Sequence, residues 1–121
     1  MQNLPQILYI DDNADSCEIL EFLMHRQGFE VVCRQSAEEA LNAARNNSFS
    51  AIVSEYVLSD LDALDLCVEL KKINPNTPIV FYSTEARHVH KERGLKAGAK
   101  AYLIKPNDLE SIEETIIDIV M

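Results

Sequence analysis

Residues 6–12 read QILYIDD, a run with four consecutive apolar residues, Ile7 to Ile10, that meets two acids at once. A stretch so short and so evenly apolar suits a strand buried on both faces, as in a parallel sheet between two helical layers. Comparable runs recur at residues 31–34, 51–54, 79–83 and 101–104, rich in Ile, Val, Tyr and Phe. Residues 31–34, VVCR, are the most mixed and suit an edge position.

Longer amphipathic stretches follow each run. Residues 14–27 place Cys17, Leu20, Leu23 and Met24 at helical spacing and stop at Gly28. Ser36-Ala37-Glu38-Glu39 is a capping box that opens a second helix with Ala40, Leu41 and Ala44 inward. Asp62 can cap a third, striped by Leu66, Leu70 and Ile73 before Pro75. A fourth is predicted over residues 85–97, with Gly98 at the left-handed C-cap position. Asn107 and Glu110 form a further capping box before a helix striped by Leu109, Ile112, Ile116 and Ile119. Strand and helix thus alternate five times, which predicts an α/β sandwich of three layers with a parallel five-stranded sheet and right-handed crossovers. The 121 residues fit a single domain over positions 1–121.

Composition narrows the function. The net charge of −9 repels phosphate backbones and excludes direct nucleic-acid binding as an expectation, while favouring partners with basic patches. No apolar run approaches the roughly 20 residues that cross a bilayer. The opening MQNLPQ has no basic stretch before its apolar run, so neither a signal peptide nor membrane attachment is expected and the cytoplasm is the expected compartment. Cys17, Cys33 and Cys67 are odd in number, lack a CxxC pair and have apolar neighbours, which predicts three reduced, mostly buried thiols.

In open α/β sheets, ligands sit beyond the carboxyl ends of the strands. Those ends carry Asp11 and Asp12, Ser54 and Glu55, Ser83 and Thr84, and Lys105 before Pro106. Three acids on one rim repel by about 4 kcal/mol per close pair at an effective dielectric near 20. A divalent cation with oxygen ligands answers that repulsion, Mg²⁺ being the natural choice. The plainer reading of Asp11 and Asp12 is a helix cap; with Glu55 and Lys105 added, a cation pocket is favoured. Lys105, extended by its proline neighbour, can reach an oxyanion or Glu55. Ser83 and Thr84 can donate to the same oxyanion, or Thr84 can simply cap the fourth helix.

Taken together, ILYIDD, AIVSEYVLSDLDALDL, TPIVFYST and AGAKAYLIKP are similar to the receiver domains of two-component signalling, over essentially the whole chain. The resemblance implies a flavodoxin-like strand order 2-1-3-4-5. It also implies Mg²⁺ ligation by Asp12, through water by Asp11, and by the Val57 carbonyl. Ser83 becomes the hydroxyl that responds to phosphorylation, Tyr102 the aromatic that moves with it, and Lys105 the phosphate-binding lysine. The family's output and dimer surface is the face of helix four, strand five and helix five. No enzyme activity and no organic cofactor are expected.

Glu55 departs from the pattern, since the family usually ends its third strand in the phosphoacceptor aspartate. Ser59 and Ala63 replace a usual proline and glycine, and Thr84 is bulkier than the small residue usual after the hydroxyl. Glutamate adds one methylene, roughly 1.5 Å of bond length, where a misplacement near 1 Å can cost on the order of a hundredfold. The leading expectation is a phosphorylation-independent interaction module for a sensor kinase, another receiver or an effector, with weak Mg²⁺ binding through Asp11, Asp12, Glu55 and Val57. Glu55 either reaches Lys105 and Ser83 to imitate the phosphorylated state or pairs with Lys105 to lock an inactive one. The alternative is a conventional receiver phosphorylated on another acid, with Asp60 and Asp62 as candidates. A flavin carrier is a third class, but its phosphate loop would have to be Asp-Asp-Asn-Ala-Asp-Ser, which is wrong for a phosphate.

Overall fold

The computed structural model describes residues 4–121; the reading of residues 1–3 lies outside them. Five strands and five helices alternate: β1 (Gln6–Ile10), α1 (Ala14–Arg26), β2 (Glu30–Arg34), α2 (Ala37–Asn46), β3 (Ala51–Ser54), α3 (Ala63–Ile73), β4 (Ile79–Ser83), α4 (His88–Lys96), β5 (Ala101–Ile104) and α5 (Leu109–Val120). The strands form one sheet of order β2-β1-β3-β4-β5, and all pairings are parallel.

Alternation along each strand divides the core into two layers. Ile7 and Tyr9 of β1 pack with Leu20 and Met24 of α1 and Ile112 and Ile116 of α5. Leu8 and Ile10 face the other way, onto Ala40 of α2 and Leu66 and Leu70 of α3. Each large side chain buried in this way contributes about 1.5–3 kcal/mol. Strand β2 is only partly buried, as its mixed sequence predicted for an edge.

The caps account for most boundaries. Ser36 Oγ accepts the Glu39 amide at 3.1 Å, and Asp62 Oδ1 accepts the Leu64 amide at 2.8 Å. Gly28 and Gly98 take positive φ values of 90° and 113° where α1 and α4 end, a backbone region costly for other residues.

Three expectations need correction. Helix α4 starts at His88, not at residue 85, because Tyr102 Oη donates to the Glu85 carbonyl at 2.6 Å and Glu85 pairs with Arg87 at 2.9 Å, holding residues 85–87 as a loop. Asn107 does not cap α5; the N-cap is Asp108, whose carboxylate turns back to accept the Ile104 amide at 2.7 Å. Cys17 and Cys33 are not reduced thiols but form a disulfide, while Cys67 is free and buried. Helix α1 crosses β2 so that the two Cα atoms lie 6.2 Å apart, inside the span that a disulfide can bridge.

Candidate functional site

Parallel register brings the strand ends to one rim. Ile10 pairs with Ser54, Ser54 with Phe81, and Ser83 with Ile104. The next residues continue the ladder: the Glu55 amide donates to the Ile10 carbonyl at 2.8 Å, and the Lys105 amide to the Ser83 carbonyl at 2.9 Å. Asp11, Glu55, Ser83 and Lys105 therefore meet because four consecutive strand ends are level.

Glu55 is buried, and its carboxylate bends over the loop that follows β3. Oε1 accepts the amides of Tyr56 at 2.8 Å and Val57 at 3.2 Å, and also accepts the Ser83 hydroxyl. Oε2 stands 3.0 Å from Lys105 Nζ. The same ammonium donates to Asp11 Oδ2. Asp11 further accepts the Tyr9 hydroxyl at 2.6 Å and, through Oδ1, the Asn13 amide at 2.9 Å. Among the described residues no buried side-chain nitrogen or oxygen lacks a partner. One shielded cation thus bridges two buried carboxylates, whose remaining oxygen positions are filled by amides and hydroxyls.

Burial and the Asp11 hydrogen bond push the Tyr9 phenol well above its ordinary range, so it remains a protonated donor. Burial likewise moves Tyr102 up to about 12. Its ring packs 5.8 Å from Phe81 and 5.5 Å from Tyr56, within the buried layer. Arg87 holds the Glu85 carboxyl down at about 2.

The remaining candidates stand apart. Asp12 and Thr84 are exposed. Thr84 does not cap α4, whose N-cap is Arg87. Val57 is 60% exposed and donates its amide to Glu55. Lys105 stands between the carboxylates of Asp11 and Glu55, and among the described residues no three His, Cys, Asp or Glu side chains are grouped as metal ligands. A surface cavity of about 820 Å³ lies near the amino ends of β1 and β2, beside Phe22, His25 and Phe29, away from the rim.

Sequence reasoning missed Tyr9, and it weighed Asp60 only as a possible phosphoacceptor, not as a tie between segments. Tyr9 precedes Asp11 by two positions, so both side chains fall on the same side of β1, a signal that strand periodicity supplies. Asp60 accepts the Ala37 and Glu38 amides at 3.0 and 3.1 Å, which ties the β3–α3 loop to the start of α2. Twenty-odd intervening residues hide that contact from any local pattern.

A parallel sheet of order 2-1-3-4-5 with acids, a hydroxyl and a lysine on its carboxyl rim defines the class of signalling receivers. The chain belongs to the response regulator receiver domain family, whose model matches residues 7–117. It is 32% identical over 110 residues to the transcriptional regulatory protein ZraR of Salmonella typhimurium, covering 91% of this chain and 25% of that protein. The chain thus spans about a quarter of that regulator's length. It also resembles the crystal structure of a two-component response regulator from Clostridium difficile, with a TM-score of 0.90, 28% identity, and 96% and 95% of the two chains covered. A response regulator protein from Burkholderia pseudomallei, solved with a phosphorylated aspartic acid, a calcium ion and citrate, matches with a TM-score of 0.83 and 30% identity over 89% of this chain and 64% of that one. Among the described residues no helix is long and apolar enough to cross a membrane.

Proposed function

We propose that this chain is a receiver domain that signals without phosphoryl transfer, a non-enzymatic interaction module whose pocket carries its own anion in Glu55. The observation behind this reading is the engagement of both Glu55 oxygens: Oε1 holds the Tyr56 and Val57 amides and the Ser83 hydroxyl, and Oε2 holds Lys105. An incoming phosphoryl group would need those same donors to spread its charge over its oxygens. Glu55 satisfies them first. The imitation is partial, one negative charge against about −1.5 to −2 for a phosphoryl group. The buried Tyr102 ring, hydrogen-bonded to Glu85, supports the responsive arrangement over a merely locked pair.

Mg²⁺ binding is weak in this reading, because the ion has to take Asp11 and Glu55 away from Lys105. Partners are proteins: a sensor kinase, another receiver or an effector. The face of α4, β5 and α5, with Val89 and Leu95 of α4 exposed, is the proposed contact surface, for a partner or for a second copy. In the alternative reading another acid of the pocket accepts the phosphoryl group. Asp60 and Asp62 gain little support for that role, since their carboxylates are engaged by the α2 and α3 amides.

The test is incubation with acetyl phosphate and Mg²⁺ followed by intact-mass measurement. The native chain should stay unmodified. A phosphoryl group on any acid of the native chain overturns the proposal in favour of phosphotransfer.

A further inference from the structure

The disulfide joins two elements that frame the Asp11 loop. Cys17 lies in the first turn of α1, with its sulfur 3.7 Å from the Asp11 carbonyl oxygen. Cys33 sits on β2 opposite Tyr9, and its neighbour Arg34 accepts the Asp11 amide at 3.0 Å. The bond therefore ties α1 to the edge strand on either side of the residue that anchors Lys105. A cleft of about 540 Å³ opens onto both cysteines. Glu18, Glu21 and Glu39 line it against the single cation Arg34. Cys67, by contrast, is buried in the opposite layer, with its thiol pushed up by that burial.

We propose that Cys17 and Cys33 are a reversible thiol–disulfide site, which exchanges with small cationic disulfides through the acidic cleft and thereby tightens or loosens the Asp11 loop. Cys33 is the less buried of the two and is the attacking group in the dithiol form. It gives its proton to solvent, and its thiolate attacks one sulfur of the small disulfide. The S–S bond of the reagent breaks, and the departing thiolate takes up a proton. Cys17, deprotonated in turn, attacks the Cys33 sulfur of the mixed disulfide and expels the second small thiol. Two electrons pass from the protein to the reagent, and every bond broken is matched by one formed.

The experiment uses the whole chain. Alkylation with iodoacetamide and intact-mass measurement should find Cys17 and Cys33 unlabelled in the oxidised protein. Both should be labelled after dithiothreitol, and both unlabelled again after cystamine. Cystamine, with two ammonium groups, should close the pair several-fold faster than the anionic oxidised glutathione. Reduction should lower the melting temperature by about 10 °C, from release of a 16-residue crosslink. Amide exchange at Asp11 and Asn13 should quicken at least tenfold. Persistent labelling of both cysteines after cystamine, or a mixed disulfide that never resolves, overturns the exchange site. Equal rates with the two reagents overturn the cationic preference. Unchanged exchange at Asp11 and Asn13 overturns the coupling to the loop.

Discussion

Lys105 Nζ stands 3.0 Å from Glu55 Oε2 while also holding Asp11, and only 12% of its side chain is exposed. Two carboxylates out of water share one ammonium, so removal of the lysine leaves like charges facing each other. Lys105→Met should cost about 3–5 kcal/mol in urea unfolding, the penalty for stranding buried charge. The same variant opens the space between Asp11 and Glu55 to a divalent ion. Millimolar Mg²⁺ should then raise its melting temperature and leave the native chain nearly unmoved. An equal response of both proteins would show that Lys105 does not compete with the ion.

Shortening the acceptor should restore chemistry. In Glu55→Asp the carboxylate withdraws from the Tyr56 and Val57 amides, freeing those donors, Ser83 and Lys105 for a phosphoryl group. Modification by acetyl phosphate in the presence of Mg²⁺ should be on the order of a hundredfold faster than in the native chain. Equal rates would place the block somewhere other than the extra methylene.

Asp60 gives the fold an acid-sensitive tie. The hydrogen bonds that it accepts, first from Ala37 and then from Glu38, lower its carboxyl below the ordinary aspartate range. A depressed folded-state value contributes stability that is present above the unfolded value and lost as pH falls through the folded one. Asp60→Ala should therefore destabilise the domain by about 1 kcal/mol at neutral pH, as for the loss of other helix-terminal caps. The difference from the native chain should start to shrink below about pH 4, where the unfolded aspartate takes up its proton, and vanish once pH falls through the lowered folded-state value. Stability curves over pH 3–7 would check this, and a pH-independent gap would count against the carboxylate.

Gly94 lets α4 approach the sheet closely. A Cβ there would lie 3.0 Å from Phe81 and 3.1 Å from Tyr102, both buried. Gly94→Ala gains about 1 kcal/mol of helix propensity but overpacks the site by about 1–3 kcal/mol. The net expectation is a loss of about 1 kcal/mol in chemical unfolding, with altered packing of the Tyr102 ring visible by NMR.

The strands were the most legible part of the sequence, because burial on both faces leaves continuous apolar runs that no other element here shares. The rim was legible for the same reason: Asp11, Glu55 and Lys105 each follow such a run directly, and Ser83 ends one. What escaped depended on contacts between distant segments. Residues 85–87 scan as helix until the Tyr102 hydroxyl claims the Glu85 carbonyl. Asn107 and Glu110 scan as a capping box until Asp108 turns back to β5. The cysteines looked unpaired because the path from Cys17 to Cys33 runs through the packing of α1 on β2, which spacing alone does not express.

The chain has four tyrosines and no tryptophan, and all four tyrosines border the pocket. Tyr9 donates to Asp11, Tyr56 follows Glu55, the Tyr82 ring lies 5.3 Å from Lys105 Nζ, and Tyr102 donates to Glu85. Ultraviolet absorption and emission from this protein therefore come almost wholly from one small region. Unlabelled protein carries its own optical gauge, one that brightens, dims or shifts with the ion pair at the rim and stays nearly blind to the rest of the surface.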